Sequence, residues 1–447
     1  MNTTGTLPRV TVIGAGYLGL THAVCMADLG HEVLAIDVDS QKIAKAAAGE
    51  APFFEPALEP LLRKNVDAGR LRFTTSFADV GHFGDVHFLC VGTPQADGGA
   101  ADLSYLHAAS DALAPHLSSP CLIVGKSTVP VGTARVLLAR IRGAAPAGDD
   151  VDLAWNPEFL REGHAVQDSL TPDRFVFGVT SERAVQLLRQ VYATPLALDI
   201  PALVMDLETA ELVKVAANAF LATKISFINA MAEVCEVAQA DVLDLAEALG
   251  HDRRIGPGGL RPGLGFGGGC LPKDIRAFMA RADELGVGHA LGFLSEVDAI
   301  NRRRRARVVA LARELAGGSF SGRTVAALGV AFKPGSDDIR DSPALDVAVT
   351  IRGLGATVRM FDPAALGNAR RAYPELEGAG SVLGAARDAD VVLLLTEWPE
   401  ICDTDPEVLA KTVARRAIVD GRHALDPARW RAAGWTYRAP GRGREPE

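Results

Sequence analysis

Cys270 sits in the run GFGGGCLPKD, preceded by glycines and followed by Pro272, Lys273 and Asp274. Proline there reads as a first helical position. The thiol therefore stands at a helix N-terminus beside a lysine, surroundings that favour a nucleophilic thiolate. The blander reading of a cysteine, a small buried hydrophobe, serves for Cys25, Cys90, Cys121, Cys235 and Cys402. It serves poorly for Cys270, because GFGGG offers no apolar wall. Three other segments hold groups that could work with a thiol. NPEFLREG carries Glu158 and Glu162 four apart, on one face if the segment is helical. ELVKVAANAF carries Lys214 and Asn218 at the same spacing. AFKPGSDDIRDSP carries Lys333 and Arg340. Glu158 with Glu162, and Lys214 with Asn218, taken alone would more often be solvated helix faces.

A second chemistry is written near the start. RVTVIGAGYLGL places Gly14, Gly16 and Gly19 after a strand and at the opening of a helix, and the next strand ends at Asp37. Gly14 permits the turn, Gly16 lets backbone approach a pyrophosphate, and Gly19 lets helix and strand pack closely. The helix N-terminus then faces the phosphates. Asp37 can accept from a ribose 2′-OH and repels a 2′-phosphate, so NAD is expected rather than NADP. The strand-end loops Val91–Pro94 and Ser127–Pro130 fall where doubly wound sheets place ligand contacts, although each alone is an ordinary proline-ended turn.

The elements that must position these groups follow from patterning. At 447 residues the chain exceeds one ordinary core and suggests several domains. Strands are expected at Arg9–Ile13, Val33–Ile36, Val86–Val91, Leu122–Lys126 and Phe175–Val179, alternating with helices. From Asp206 to Gly250 the pattern is one long helix or a pair, a spine; a glycine-rich loop spans Gly256 to Gly269, and helices resume from Pro272 to Leu315. A second alternating block has strands at Thr324–Val330, Thr357–Phe361, Val391–Leu395 and Ala417–Asp420, and lacks GxGxxG. The expected class is α/β: a Rossmann-like dinucleotide domain over 1–205, a central helical domain with the cysteine loop over 206–317, a second Rossmann-like domain over 318–437, and an unordered tail over 438–447.

Net charge −9 argues against a nucleic-acid surface, and Arg302–Arg305 reads as a solvated helix face. The longest apolar stretch, Ala216 to Val234, is interrupted by Asn218, Lys224, Asn229 and Glu233, so no membrane span is expected. Six scattered cysteines and a start without a signal-peptide pattern fit a cytoplasmic protein. The ten histidines are dispersed and no cluster has ligand spacing, so no metal is expected.

In order along the chain, GxGxxG, GTP, STVP, NPEFLREG, KVAANAF, FGGGCLPKD and FKPGSDD resemble the UDP-glucose/GDP-mannose dehydrogenase family over nearly the whole length. Val419–Arg422 (VDGR) and the stretch around Arg254 are most like its UDP-glucose-oxidising branch. The resemblance implies NAD-dependent oxidation of a primary alcohol to a carboxylate (UDP-glucose + 2 NAD+ + H2O to UDP-glucuronate + 2 NADH) through a thioester on Cys270. It implies that Lys214 and Asn218 serve the C6 oxygen, Asp274 the base and water step, and Glu158 thioester hydrolysis. Thr128 would sit beside cofactor and catalytic water; Lys42, Thr93, Glu162 and Arg340 would join Gly14, Gly16, Gly19 and Asp37 around NAD. Phe159, Leu160, Lys333 and Arg422 would hold the nucleotide-sugar with Glu158, Lys214 and Asn218. The segment Arg261 to Gly267 would close over the nucleotide, and Arg254 would enter a neighbouring subunit's site in a homodimer or larger assembly. The family's usual FGGSC reads FGGGC here, and Arg340-Asp341-Ser342 departs from its acid-arginine-glutamate pattern.

Other readings differ in what they require. A 6-phosphogluconate-like hydroxyacid dehydrogenase has the Rossmann lobe and a Lys/Asn pair, but needs no cysteine and no second α/β block. An NAD-binding redox sensor switching at Cys270 needs no Glu158, Lys214 and Asn218. Within the family, GDP-mannose and UDP-N-acetyl-hexosamines are alternative substrates, and so is dTDP-glucose, since one methyl on a base discriminates by only ~1–3 kcal/mol.

Overall fold

The computed structural model describes residues 7–442. The chain divides into two compact units: one runs to Ala217 and takes in Arg276–Leu285; the other is Asn218–Ile275 with the chain from Gly286 onward.

The first unit is built on eight strands: β1 Val10–Ile13, β2 Val33–Ile36, β3 Leu71–Thr74, β4 Val86–Leu89, β5 Cys121–Gly125, β6 Val151–Trp155, β7 Phe175–Val179 and β8 Ala202–Met205. They lie in the order β3-β2-β1-β4-β5-β6-β7-β8, parallel except where β6 meets β7. Strands β1, β2, β4, β5 and β6 are buried along their whole length. Strands covered by helices on both faces are largely apolar, which explains runs such as CLIVG; the buried Thr11 and His87 in β1 and β4 satisfy each other at 2.7 Å.

The second unit repeats the plan with β9 Thr324–Leu328, β10 Thr357–Phe361, β11 Glu377–Gly378, β12 Val391–Leu394, β13 Ala417–Asp420 and β14 Thr436–Arg438. Their order, β11-β10-β9-β12-β13-β14, is that of the first six strands of the other sheet. The expected α/β class with two Rossmann-like sheets and a long helix is what folds. Short, mixed or edge strands (β3, β6, β8, β11, β14) escaped the pattern.

Both sheets turn on a glycine. Gly14, after β1, has φ +97°, and a Cβ on Gly19 would run into the Gly14 carbonyl oxygen. Gly329, after β9, has φ +84°, with Thr396 Cβ 2.5 Å from where its own Cβ would stand. The acids that follow differ. Asp362, after β10, is 2% exposed and accepts from the backbone N–H groups of Val330 (2.7 Å), Ala331 (2.9 Å), Ala364 (3.0 Å) and Ala365 (2.8 Å), and from Trp398 Nε1 (3.1 Å). Its carboxylate is spent on the fold, whereas Asp37 remains half-buried at its sheet's carboxyl edge.

The expected spine resolves into two helices, Leu207–Ala238 and Val242–Gly250. Gln239 breaks it at φ +58°, and Asp241 caps the second helix by accepting from Leu243 N at 2.7 Å. By length and composition Leu207–Ala238 could cross a membrane. Four polar residues along it, Glu211, Lys214, Ser226 and Asn229, are buried within the protein, while Phe220, Phe227, Val234 and Val237 are exposed.

Two expectations need correction. Arg302–Arg305 is not a solvated face throughout. Arg304 is wholly buried, with Nε 3.4 Å from the Gly263 carbonyl oxygen, and Arg305 pairs with Asp341 at 3.2 Å and with Asp346. A helical repeat turns consecutive arginines around the axis, so two of the four face inward. The tail is packed as far as it is described. Arg438 ends β14, Ala439 is buried, and Gly441 N donates to Glu236 Oε1 at 2.7 Å. Pairing with β13 and with the Val242 amide holds a stretch whose composition showed no periodicity; residues 443–447 of that expected tail lie outside the described ones.

Asp362→Ala would orphan four backbone N–H groups and an indole N–H. Denaturant unfolding is expected to show a loss of at least ~3 kcal/mol, since each buried unmet donor costs ~1–3 kcal/mol.

Candidate active site

At the carboxyl edge of β1 the helix Tyr17–Asp28 starts from Gly16 with no side-chain cap. Its first N–H groups are left for an anion, and the space beyond Gly16 Cα is open. Asp37 Oδ2 accepts from Ala15 N (2.8 Å) and Lys42 Nζ (3.1 Å), and Oδ1 from Asp39 N (3.0 Å). Burial alone would raise its pKa, but these donors hold it below the ordinary carboxylate value. A turn without Cβ atoms, an uncapped helix start and an ionised acid at the next strand end fit a dinucleotide. The structure thus brings Gly14, Gly16, Asp37 and Lys42 together. Thr93 Oγ1 donates to the Thr128 carbonyl at 2.8 Å and Ser127 Oγ to the Val91 carbonyl at 2.6 Å, so the two proline-ended loops form one rim.

NPEFLREG is a loop, not a helix, so Glu158 and Glu162 share no helix face. Pro157 disfavours the helical conformation of Asn156, and Glu158 Oε2 takes the Leu160 amide at 2.7 Å in a local turn. Glu158 Oε1 meets Lys214 Nζ at 3.1 Å, with both side chains largely buried. Lys214 lies 5.5 Å over the Phe159 ring, which Arg174 covers at 4.1 Å. Phe159 and Leu160 are therefore fixed beside the Glu158–Lys214 pair.

In the second unit Cys270 is exposed and directly precedes the helix Leu271–Glu284. Its carbonyl accepts from Asp274 N at 2.9 Å, closing the first turn. Asp274 is 1% exposed and takes Asn218 Nδ2 at 2.7 Å and Lys273 Nζ at 2.6 Å. Lys273 is thus engaged by Asp274, a placement the spacing beside Cys270 did not reveal. The glycines ahead of the thiol are a packing requirement. A Cβ on Gly267 would strike the Asp341 carbonyl, one on Gly268 would lie 2.8 Å from the Phe332 ring, and one on Gly269 would meet the Arg340 guanidinium. Arg340, paired with Asp338 at 2.6 Å, lies over Gly269 with the end of an exposed side chain.

Arg422 Nη2 donates to the Phe332 carbonyl at 3.2 Å and Nε to the Leu395 carbonyl at 2.7 Å. Burial depresses its proton affinity; Glu397 opposes this and the neighbouring charge of Arg261 adds to it. Lys333 stands next to Phe332, so Lys333, Arg422 and Arg261 make a cationic group around the Gly263–Gly267 loop. Arg254 is apart from them, exposed and paired with Asp252 at 2.6 Å.

Two buried carboxylates were not singled out from sequence. Glu55 accepts from Gly163 N and Ala165 N, both at 2.7 Å, and from the Tyr17 hydroxyl. It ties the start of the glycine-turn helix to the Glu158–Gly163 loop. Glu211 accepts from Gly132 N and Ala134 N, both at 2.6 Å, under the loop that carries Thr128. The one sequence signal for Glu211 is an acid within an apolar helical run.

Family models match in three stretches: the NAD binding domain of the UDP-glucose/GDP-mannose dehydrogenase family over residues 8–196, its central domain over 208–303 and its UDP binding domain over 326–427. The chain is 40% identical to a UDP-glucose 6-dehydrogenase of Pseudomonas aeruginosa over 98% of each chain. It is 41% identical to that of Rhizobium meliloti over 97% of this chain and 99% of the other. A UDP-glucose dehydrogenase structure from Pyrobaculum islandicum superposes with a TM-score of 0.90 at 36% identity, covering 99% of this chain and 100% of the other.

Burial pushes Glu211 up from 4.5 to about 7, against the pull of its two N–H donors. A carboxyl raised by folding stabilises the fold fully below pH 4.5 and loses that contribution as pH rises through 7. Thermal melting from pH 5 to 8 should therefore show a decline that Glu211→Gln flattens, by roughly 5 °C. Parallel profiles for the two proteins would contradict this.

Proposed function

The chain belongs to the UDP-glucose/GDP-mannose dehydrogenase family, and from that premise we propose that it oxidises UDP-glucose to UDP-glucuronate through a thioester on Cys270. The observation that carries this reading is an exposed thiol at a helix start, behind glycines packed closely against Asp341, Phe332 and Arg340, with Asn218 and Asp274 bonded at the next turn.

Turning a primary alcohol into an acid takes two oxidations with an aldehyde between them. Cys270 adds to that aldehyde as a thiohemiacetal, so the aldehyde never leaves, and the second oxidation yields the thioester. Gly14, Gly16, Gly19 and Asp37, with Lys42, Thr93, Thr128, Glu162 and Arg340, would hold NAD, which would supply hydride acceptance when bound. Lys214 and Asn218 donate to the C6 oxygen when it carries negative charge. Glu158 takes a proton from the water that opens the thioester, and Asp274 holds Asn218 to its task. Lys333, Arg422 and Arg261 meet the diphosphate with charge, while Phe159, Leu160 and Gly267 shape the remaining contacts. In this reading residues 1–205 carry the dinucleotide, 206–317 the thiol and 318–437 the nucleotide.

We further propose a homodimer or larger homo-oligomer, with Arg254 serving a neighbouring copy. Its support is an apolar strip on Leu207–Ala238, where Phe220 is 67%, Val234 56% and Val237 85% exposed. A monomer in sedimentation at assay concentration would rule this out.

Absorbance assays with UDP-, dTDP- and GDP-sugars test the substrate and the mechanism together. UDP-glucose should be preferred, with two NADH formed per sugar and no aldehyde trapped by hydrazine. NADP in place of NAD should lower kcat/KM at least ~10-fold, about 1.4 kcal/mol, through repulsion by Asp37. One NADH per sugar, or free aldehyde, would overturn the thioester reading.

A further inference from the structure

One buried cation near Glu158 has no role in the scheme above. Lys126 follows β5 and turns inward, 7% exposed. Its Nζ donates to Asn156 Oδ1 at 3.1 Å and lies 3.4 Å from the Asn156 carbonyl and 3.5 Å from the Tyr192 hydroxyl. It stands 5.9 Å over the Phe88 ring and 6.0 Å over that of Tyr192. No carboxylate among the described residues pairs with it. An ammonium desolvated without a counter-ion opposes folding, so its retention needs a reason beyond packing.

Its surroundings point to Glu158. Asn156 accepts from the Tyr192 hydroxyl at 2.7 Å and donates to the Val176 carbonyl at 3.0 Å, anchoring the turn that begins at Pro157. A cleft of about 150 Å³ connects Lys126, Asn156 and Tyr192 with Glu158 and Phe159, and His22 also lines it. We propose that Lys126 is a positioning residue for the hydrolytic half of the reaction: through Asn156 it fixes the Pro157–Leu160 turn, and its ammonium sets a positive charge behind Glu158 while water is activated.

The facing groups make that charge sensitive to pH. Burial pulls the Lys126 ammonium down to about 8; Glu158 and Cys90 oppose this and the Lys214 charge adds to it. His22 is held neutral by burial and then by Lys126, and Cys90 and Tyr192 are pushed up by burial and stay protonated. Arg161, Arg174, Asp168 and Asp173 line the cleft's remaining wall. The functional form is protonated Lys126, so hydrolysis should fail as pH rises through about 8.

The inference rests on Glu158 acting in hydrolysis, and rapid mixing with UDP-glucose and NAD separates the two claims. Lys126→Met keeps the length and removes the charge. It should retain the initial burst of NADH, lower steady turnover at least ~10-fold, and abolish the alkaline limb of turnover near pH 8 seen in the unmodified protein. Lys126→Arg should restore part of the turnover and move that limb upward. Burst and turnover falling together in Lys126→Met, with the limb unchanged, would assign Lys126 a merely structural role and overturn the inference. If Lys126→Met does not fold, the unmodified protein still decides: an alkaline limb in the burst as well as in turnover, or in neither, contradicts it. Glu158→Gln serves as the control. Failure to stall after its burst would sink the Glu158 reading, whereas a stall beside normal Lys126→Met turnover would sink only this one.

Discussion

The arrangement depends on a steric constraint: two successive positions ahead of Cys270, Gly267 and Gly268, where an added Cβ would meet backbone or a packed ring. The Asp341 carbonyl, the Phe332 ring and the Arg340 guanidinium press against Gly267, Gly268 and Gly269. That closeness sets where the helix Leu271–Glu284 begins, leaves Cys270 exposed at its start, and brings Asp274 into reach of Asn218 at 2.7 Å. The loop pressing on the glycines also leads to Lys333, so the thiol and the cations of the Gly263–Gly267 loop are organised by one packing event.

The buried charges divide by how fully they are met. Asp362 has five donors and closes a sheet edge; Glu55 and Glu211 have backbone amides and fix loops. Glu158 and Lys214 are paired with each other at 3.1 Å, with both side chains largely buried. Lys126, like Asp362, Glu55 and Glu211, has only neutral partners at hydrogen-bond distance, but its three lie within the Glu158 cleft. Full satisfaction marks fold, and partial satisfaction marks chemistry.

What was legible in sequence was whatever periodicity or a steric demand imposes. The glycine turn, Asp37, the central parallel strands and the helical spacing of Lys214 and Asn218 all stand as expected, because strands buried on both faces and helices with an apolar side leave regular patterns. The face that Glu158 and Glu162 would share on a helix does not form, because Glu158 closes a local turn on the Leu160 amide. The reading of Arg302–Arg305 failed because composition does not say which side of a helix faces inward. Lys126, Glu55 and Glu211 are single polar residues whose meaning lies in partners such as Asn156, Gly163 and Gly132, contacts that no local pattern encodes.

The central claim is a covalent acyl intermediate on one thiol. Intact-protein and peptide mass spectrometry of Cys270→Ser, after incubation with UDP-glucose and NAD, tests it most directly. A serine hydroxyl is a poor nucleophile and its ester hydrolyses slowly, so a nucleotide-uronyl ester should accumulate on the peptide that carries position 270 while turnover collapses. Cys270→Ala should gain no mass. An adduct at another residue, or near-normal turnover by Cys270→Ala, would contradict the account.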